Sequence, residues 1–374
     1  MPDIIVIGGG ITGVAAAEAL AREGHAVTLI EKSGLAAMAS GRTLGGVRQS
    51  GRDPAELPLA RAAVSIWAGL ADRLQADIEY RRGGNLRLAR TPDEVEVIRA
   101  LVQRQRALGL DLRLLGDNAA VRAIAPALSP NVLAASFCPT DGHANPIKAT
   151  RALADSARRH GAAIRDDVAA IAIRAARHRI TGVDTSAGFM PAESVIVAIG
   201  VDTPALLSPL GLDLPLSRKV VCVVQTEPLP ACLDQVFGVA NADCAGRQEV
   251  DGRLRFTGGV ADGSSPPSTD AVRELVARVA HVLPVAGDAR IARTWEGWID
   301  LTPDALPVLD APASVAGLVV AAGFSGHGFC LGPLSGLLCA DLALTRAPRL
   351  DLAAFRLARF KEGLRAAAPA ALHG

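Results

Sequence analysis

Residues Ile4 to Gly13, Ile-Ile-Val-Ile-Gly-Gly-Gly-Ile-Thr-Gly, run an apolar segment straight into glycines spaced G-x-G-x-x-G. Spacing of this kind suits a pyrophosphate, because each glycine removes an obstacle. Gly8 permits a tight turn and Gly10 lets the backbone approach the phosphates. Gly13 lets a helix pack closely on a strand, so the N–H groups at Ile11 and Thr12 face the anion. Glu31 closes the next apolar run, Ala26 to Glu31, at the distance where a carboxylate can accept ribose hydroxyls. The same carboxylate would repel a 2′-phosphate, which disfavours NADP. NAD and FAD both remain open on this motif alone.

A second glycine loop lies near the carboxyl end. Gly317-Leu-Val-Val-Ala-Ala reads as a buried strand, Gly323-Phe-Ser-Gly-His-Gly-Phe329 follows, and a helical pattern runs from about Pro333 to Leu344. A helix start carries unpaired N–H groups. Placed over a redox ring, its dipole would stabilise the negative charge of a reduced isoalloxazine, a device that reduced nicotinamide, being neutral, does not need. The alternative is an ordinary loop.

Taken together, residues 8–13, Glu31, Ser40-Gly-Arg-Thr-Leu-Gly-Gly-Val-Arg48, Pro139-Thr-Asp-Gly-His-Ala-Asn-Pro146 and Gly323 to Phe329 resemble the FAD-dependent D-amino-acid oxidase family. Within it the likeness is to the sarcosine oxidase beta-subunit branch, which includes catalytic subunits of proline and D-hydroxyproline dehydrogenases. It covers the chain from residue 3 to about 360. The resemblance implies an α/β protein: a Rossmann-like FAD-binding domain of the glutathione-reductase type with an antiparallel β-sheet substrate domain. It also implies oxidation of the C–N bond of a secondary or D-amino acid, of sarcosine, proline or hydroxyproline type, by hydride transfer to flavin. FAD contacts are implied at Lys32 beside Glu31, at Ser40 and Gly41, at the Gly45 and Gly46 turn, and at Val168 and Gly200. The second loop adds Gly323, Ser325, Gly326, His327, Gly328 and Phe329.

Amine oxidation by flavin requires positioning and water exclusion more than acid–base chemistry. An amino-acid carboxylate is best held by a guanidinium making two parallel hydrogen bonds, and Arg48 is preferred over Arg52 for that task. Trp298, with Trp295, is expected to wall the substrate cavity, each having a core aromatic as its alternative. For His327, flavin contact or a structural role is preferred over proton transfer. Where monomeric sarcosine oxidases carry a carboxylate-binding lysine, this chain has Cys330, which points to a larger or differently held substrate. Residues 297–304 lack the flavin-linking cysteine of those enzymes, so FAD is expected to be non-covalent. His143 falls near the region where a beta-subunit histidine holds FMN at a subunit interface. A satisfied loop histidine is the preferred reading there, with FMN kept as an option. None of the four lysines falls between residues 222 and 330, which favours a dehydrogenase passing electrons to a partner subunit or another acceptor, unless an arginine such as Arg255 substitutes. Two rival readings are a nicotinamide-dependent dehydrogenase and a non-catalytic FAD-binding subunit of a larger complex.

These groups require positioning elements. The first βαβ unit is expected over residues 3–31, a ligand-crossing loop over 33–51, and helical spacing over 55–76. Thr91-Pro-Asp-Glu94 reads as a capping box opening a helix to about Leu108, and a further helix is expected over 147–160. Ser194 to Gly200 is a buried strand entering a turn. Short β-type runs over Val220–Thr226, Leu254–Gly258 and Arg290–Trp298, separated by clusters such as Gly263 to Ser268, suggest an antiparallel sheet with an internal helix bearing Val272, Leu275, Val276 and Val279. The nucleotide domain is expected to comprise 1–80, 140–212 and 305–374, and the substrate domain 81–139 and 213–304.

Composition bounds the function. With 374 residues, half of them hydrophobic, and 39 basic against 38 acidic groups, there is no electrostatic case for nucleic acid or an anionic membrane. A small-molecule substrate is expected instead. The first apolar run has no basic flank and ends in functional glycines, and no apolar stretch reaches the length of a membrane span, so a cytoplasmic location is expected. Six scattered cysteines form no C-x-x-C pair, so no metal site is expected.

Overall fold

The computed structural model describes residues 3–262 and 267–362. Part of the Gly263 to Ser268 cluster and the end of the 305–374 segment therefore lie outside the described residues.

The central sheet has six strands in the order Val308–Asp310, Leu318–Ala322, Ser194–Val197, Ile4–Ile7, Val27–Ile30, Ala163–Arg165. All pairings are parallel except the edge pair Val308–Asp310 with Leu318–Ala322. Ile4–Ile7 is buried at every position, as a parallel strand covered on both faces must be. A three-stranded antiparallel meander, Ala170–Ala176, Arg179–Thr185 and Gly188–Pro191, lies beside it in sequence.

Helix Ile11–Arg22 packs against helix Gly328–Ala343, and small residues decide how closely. A Cβ on Gly332 would fall 2.4 Å from Ile11 Cγ2, and one on Gly336 2.5 Å from Ala15 Cβ. Both ends of the chain thus bring a helix start to the same edge of the sheet. The second helix begins at Gly328 rather than near Pro333, which lies inside it. Proline there deprives the Phe329 carbonyl of its i+4 donor, a loss that is tolerated close to a helix start.

The larger sheet has eight strands, ordered Ile291–Leu301, Ser217–Pro228, Arg253–Asp262, Cys244–Gln248, Val236–Val239, Asn85–Ala89, Ala134–Cys138, Arg113–Leu115. It is antiparallel except for Val236–Val239 with Asn85–Ala89, which run parallel and join the two sequence segments of the sheet. Helix Thr269–Val282 covers one face through Leu275, Val279 and Val282.

Most boundaries follow the local signals. Thr91 caps Pro92–Ala107 by accepting from Glu94 N–H, although the Glu94 carboxylate reaches back to Arg90 N–H rather than to Thr91. Asn145 caps Pro146–Arg159. The helical spacing over 55–76 resolves into Leu57–Ala68 and Leu70–Leu74, parted at Gly69. The loop over 33–51 contains a short helix, Ala39–Arg42, and strand Gly46–Val47, which pairs with Gly142–His143.

Candidate active site

A cavity of about 520 Å³ runs between the two large sheets, from Gly8, Gly9 and Gly10 at the parallel sheet to Val221, Val223 and Ala245 on the mixed one. This is the size of a small-molecule or cofactor site.

At the cradle, Gly8 has φ +117° and a Cβ there would sit 2.3 Å from the Ala198 carbonyl oxygen, so only glycine fits. A Cβ on Gly13 would fall 2.0 Å from the Gly8 oxygen, while one on Gly10 would meet only the Ser40 hydroxyl at 3.1 Å. Ser40 Oγ accepts from Ile11 N–H at 3.0 Å, which supports the helix start from the side. Glu31 accepts from Gly9 N–H and Ser33 N–H, both at 2.7 Å, and each carboxylate oxygen keeps a further lone pair. Its backbone is tied to Arg165 and Val168, which brings Val168 to the cavity wall. Lys32 donates to Asp202 at 2.7 Å, an ion pair between two lining residues.

Gly8, Gly10, Ile11, Thr12, Glu31, Lys32, Ser40, Gly46, Val168, Gly200, Gly326, His327, Gly328, Phe329, Arg48 and Trp298 all line this cavity. Gly13, Gly41, Gly45, Gly323 and Ser325 do not, and each lies where backbone packs on backbone or a side chain. A Cβ on Gly41 would meet the Ala36 oxygen at 2.0 Å, one on Gly45 the Ala144 oxygen at 2.5 Å, and one on Gly323 the Thr302 methyl at 2.3 Å. Ser325, fully buried at φ +52°, donates to the Gly323 carbonyl. Cys330 is also buried away from the cavity, with its thiol on the Arg48 carbonyl at 3.4 Å.

Charge is concentrated beside the helix start at Gly328. Arg48, Arg52, Glu56 and His327 are all buried. His327 Nδ1 lies 3.1 and 2.9 Å from the two Glu56 oxygens, and Arg52 Nη1 lies 3.8 Å from Glu56 Oε2. Burial, followed by repulsion from Arg52, pushes the His327 pKa down to about 4, so the ring is neutral at pH 7 and Nδ1–H donates to Glu56. Burial also works to raise Glu56, but His327, Arg52 and Arg48 outweigh it and hold the carboxyl below its ordinary range. Arg48 is pushed well down by burial and by the Arg52 and Arg87 guanidiniums, opposed by Asp141 and Glu56. Asp141 itself accepts from Gln49 N–H, Ser50 N–H and the Ser50 hydroxyl, fixing the segment that carries Arg48.

Three residues that sequence reasoning did not single out matter here. Glu56 lies 271 positions from His327, and nothing local marks it. Asp300 lines the cavity and accepts from Gly323 N–H at 2.7 Å, and burial raises it to about 6. Asp300 lies within the segment Gly297 to Asp304, where a lone aspartate has no spacing to mark it. Arg247 donates to His143 Nδ1 at 2.9 Å, and burial with that neighbour drives the His143 pKa well below its ordinary value. His143 is thus a buried, partnered histidine.

The two tryptophans differ. Trp298 lines the cavity with the Arg218 guanidinium 4.5 Å from its ring. Trp295 is not a lining residue. Its indole donates to the Arg42 carbonyl, and Arg255 and Arg293 lie 5.2 and 4.8 Å from its ring.

Comparison with known proteins agrees with this geometry. The family model described as DAO, FAD dependent oxidoreductase, matches residues 3–342. Glycine oxidase of Geobacillus kaustophilus is 30% identical, over 96% of this chain and 97% of that protein. Sarcosine oxidase subunit beta of Rhizobium meliloti is 28% identical, over 96% and 89%. The crystal structure of L-proline dehydrogenase from P. horikoshii superposes with a TM-score of 0.91 at 27% identity, covering 97% of this chain and 99% of that one. A family model of FAD-dependent enzymes overturns the nicotinamide alternative. The chain belongs to the DAO family of FAD-dependent oxidoreductases.

Proposed function

We propose that this chain binds FAD non-covalently and oxidises the C–N bond of a small amino acid, acting as a dehydrogenase. The observation that carries the reading is that one cavity joins the glycine cradle and Glu31 to the buried Arg48 and Arg52 pair. The residues fit FAD: Gly8 and Gly13 leave no room for a Cβ, while Gly10 leaves an open approach to the Ile11 helix start. When bound, FAD supplies the acceptor for the hydride of the substrate α-carbon.

Each residue role follows from position. The Ile11 helix start and Glu31 hold the pyrophosphate and ribose. Arg48, with Arg52 beside it, holds the substrate carboxylate. The start of Gly328–Ala343 presents its positive end to the cavity, which favours negative charge there. Neutral His327 stays on Glu56 and takes no proton from an amine at pH 7. Among the six cysteines only Cys244 lines the cavity, and burial raises its thiol to about 12, which supports non-covalent FAD. The engagement of His143 by Arg247 supports FAD as the sole flavin.

Lys32 is the lysine that lines the cavity, and it is paired with Asp202 next to the cradle. Arg255 is buried on Glu249 and the Thr43 carbonyl. Neither suits activation of oxygen, which favours a partner subunit or carrier as electron acceptor. Sheet membership also supports division into 1–80, 140–212 and 305–374 for FAD and 81–139 and 213–304 for substrate.

An anaerobic visible spectrum of the purified chain, before and after sarcosine, both prolines, hydroxyprolines and simple D-amino acids, tests the reading. Bleaching by one member is the expected result. A flavin spectrum unmoved by the whole panel supports a non-catalytic FAD subunit instead.

A further inference from the structure

We infer that the substrate is a monocarboxylic amino acid whose side chain or N-substituent is apolar, and that the wall formed by Leu44, Val221, Val223 and Ala245 rejects a second charged group. The inference rests on the reading of Arg48 and Arg52 as the carboxylate anchor.

Strand register builds this wall. Thr257 stands opposite Val223 on one side and Ala245 on the other, so Ala245, Thr257 and Val223 form one row across three strands, with Val221 two residues further along. All four line the cavity, and Leu44 joins them from the crossing loop. The single polar group in the row, the Thr257 hydroxyl, already donates to the Cys222 carbonyl at 2.9 Å. A charged substituent pressed on this surface would lose its water and gain no partner.

The wall adjoins the anchor. Arg48 Nη1 and Arg87 Nη2 lie 2.9 and 3.4 Å from where a Gly51 Cβ would be. Arg87 Cζ and Ala245 Cβ are each 3.8 Å from the corresponding position of Gly238. A carboxylate held on Arg48 therefore directs the rest of a small amino acid along the wall.

Cations do exist one row further on, where Arg255 stands opposite Arg247. They are covered rather than presented. Arg247 donates to the Leu44 carbonyl and Arg255 to the Thr43 carbonyl, both share Glu249, and neither lines the cavity. The loop that closes the substrate space thus seals off Arg247 and Arg255, while Arg42, a cation of the same loop that does line the cavity, is held by Glu296 and the Ala37 carbonyl.

The test uses the purified FAD-loaded chain and anaerobic stopped-flow reduction with pairs that differ in a second carboxylate: valine against aspartate and norvaline against glutamate, both enantiomers of each, and the achiral, size-matched pair N-isobutylglycine against iminodiacetate. The apolar member of a pair should reduce the flavin at least about a hundredfold faster than its charged match. A dicarboxylic member that reduces it within tenfold of its apolar match overturns the inference. Ligand binding gives an independent readout: isobutyrate should perturb the flavin spectrum at concentrations where succinate does not, and equal binding of the two also overturns it. Val223→Arg should narrow or invert the valine-to-aspartate ratio while keeping its FAD. If that variant does not fold, the ligand comparison decides. Failure of the underlying reading looks different, since neither any amino acid nor any monocarboxylate would then change the flavin spectrum.

Discussion

His327 and Glu56 form a buried pair in which one imidazole nitrogen, Nδ1, lies within 3.1 Å of both carboxylate oxygens, and Arg52 Nη1 stands 3.8 Å from Oε2 of the same carboxylate. The carboxylate therefore serves two partners, one neutral and one charged. Glu56→Gln keeps a hydrogen-bond acceptor for His327 but leaves the Arg52 guanidinium buried without its counter-charge. We expect a loss of about 3 kcal/mol in urea unfolding of the FAD-loaded protein. A loss no larger than that of an exposed ion pair, under about 1 kcal/mol, would show that Arg52 draws its compensation from elsewhere.

His327 and Asp300 give opposite pH dependences. Burial lowers His327 from 6.5 to about 4, so its contribution to stability is present above pH 6.5 and is lost as pH falls through 4. Burial raises Asp300 from 3.8 to about 6, so its contribution is present below pH 3.8 and is lost as pH rises through 6. Each is worth about 3 kcal/mol at its limit. Between pH 6 and 4.5 the two changes oppose each other and this pair leaves stability nearly flat. Asp300→Asn should unmask a decline on acidification over that window, and His327→Asn a rise. Unfolding free energies at three pH values for the two variants suffice, and slopes of the same sign would refute the assignment.

How much of this was legible in the sequence depends on the range of each interaction. The cradle was readable because its logic is local: strand, glycine turn and helix lie within ten residues, Ile4 to Gly13, and Glu31 closes the adjacent strand. The second loop was readable for the same reason, except for its helix start, because Pro333 looks like a boundary and is an interior residue. The buried long-range polar contacts were not readable. Arg247 meets His143 across 104 positions, and one arginine among many offers no periodicity or spacing to mark it. The parallel pairing of Val236–Val239 with Asn85–Ala89 was hidden similarly, since local pattern gives strands but not their partners.

The glycines of the cradle separate into two kinds, and substitution should tell them apart. A Cβ on Gly13 meets a carbonyl oxygen at 2.0 Å in the helix–strand contact itself, whereas one on Gly10 meets only the movable Ser40 hydroxyl at 3.1 Å. Gly13→Ala should therefore lower the melting temperature of the flavin-free protein. Gly10→Ala should leave that temperature within a few degrees and weaken FAD binding by roughly tenfold or more, read from quenching of flavin fluorescence. If Gly10→Ala binds FAD normally, the pyrophosphate does not approach at this point.

Arg48 shows a conflict between folding and binding. Its guanidinium is buried, the Arg52 and Arg87 charges press against it, and Asp141 and Glu56 only partly offset them. Replacing it by an apolar side chain of similar length removes the repulsion from Arg52 and Arg87 and the desolvation cost of a buried charge, at the loss of its hydrogen bond to the Ser50 carbonyl. Arg48→Met should accordingly raise the unfolding free energy of the ligand-free holoprotein while lowering kcat/KM by about a hundredfold or more, chiefly through KM, because the carboxylate loses its two parallel hydrogen bonds. Arg52→Met should do the reverse in stability, since it strands Glu56. If Arg48→Met instead destabilises the protein and leaves KM unchanged, the guanidinium serves the fold and the carboxylate anchor must be sought at Arg52.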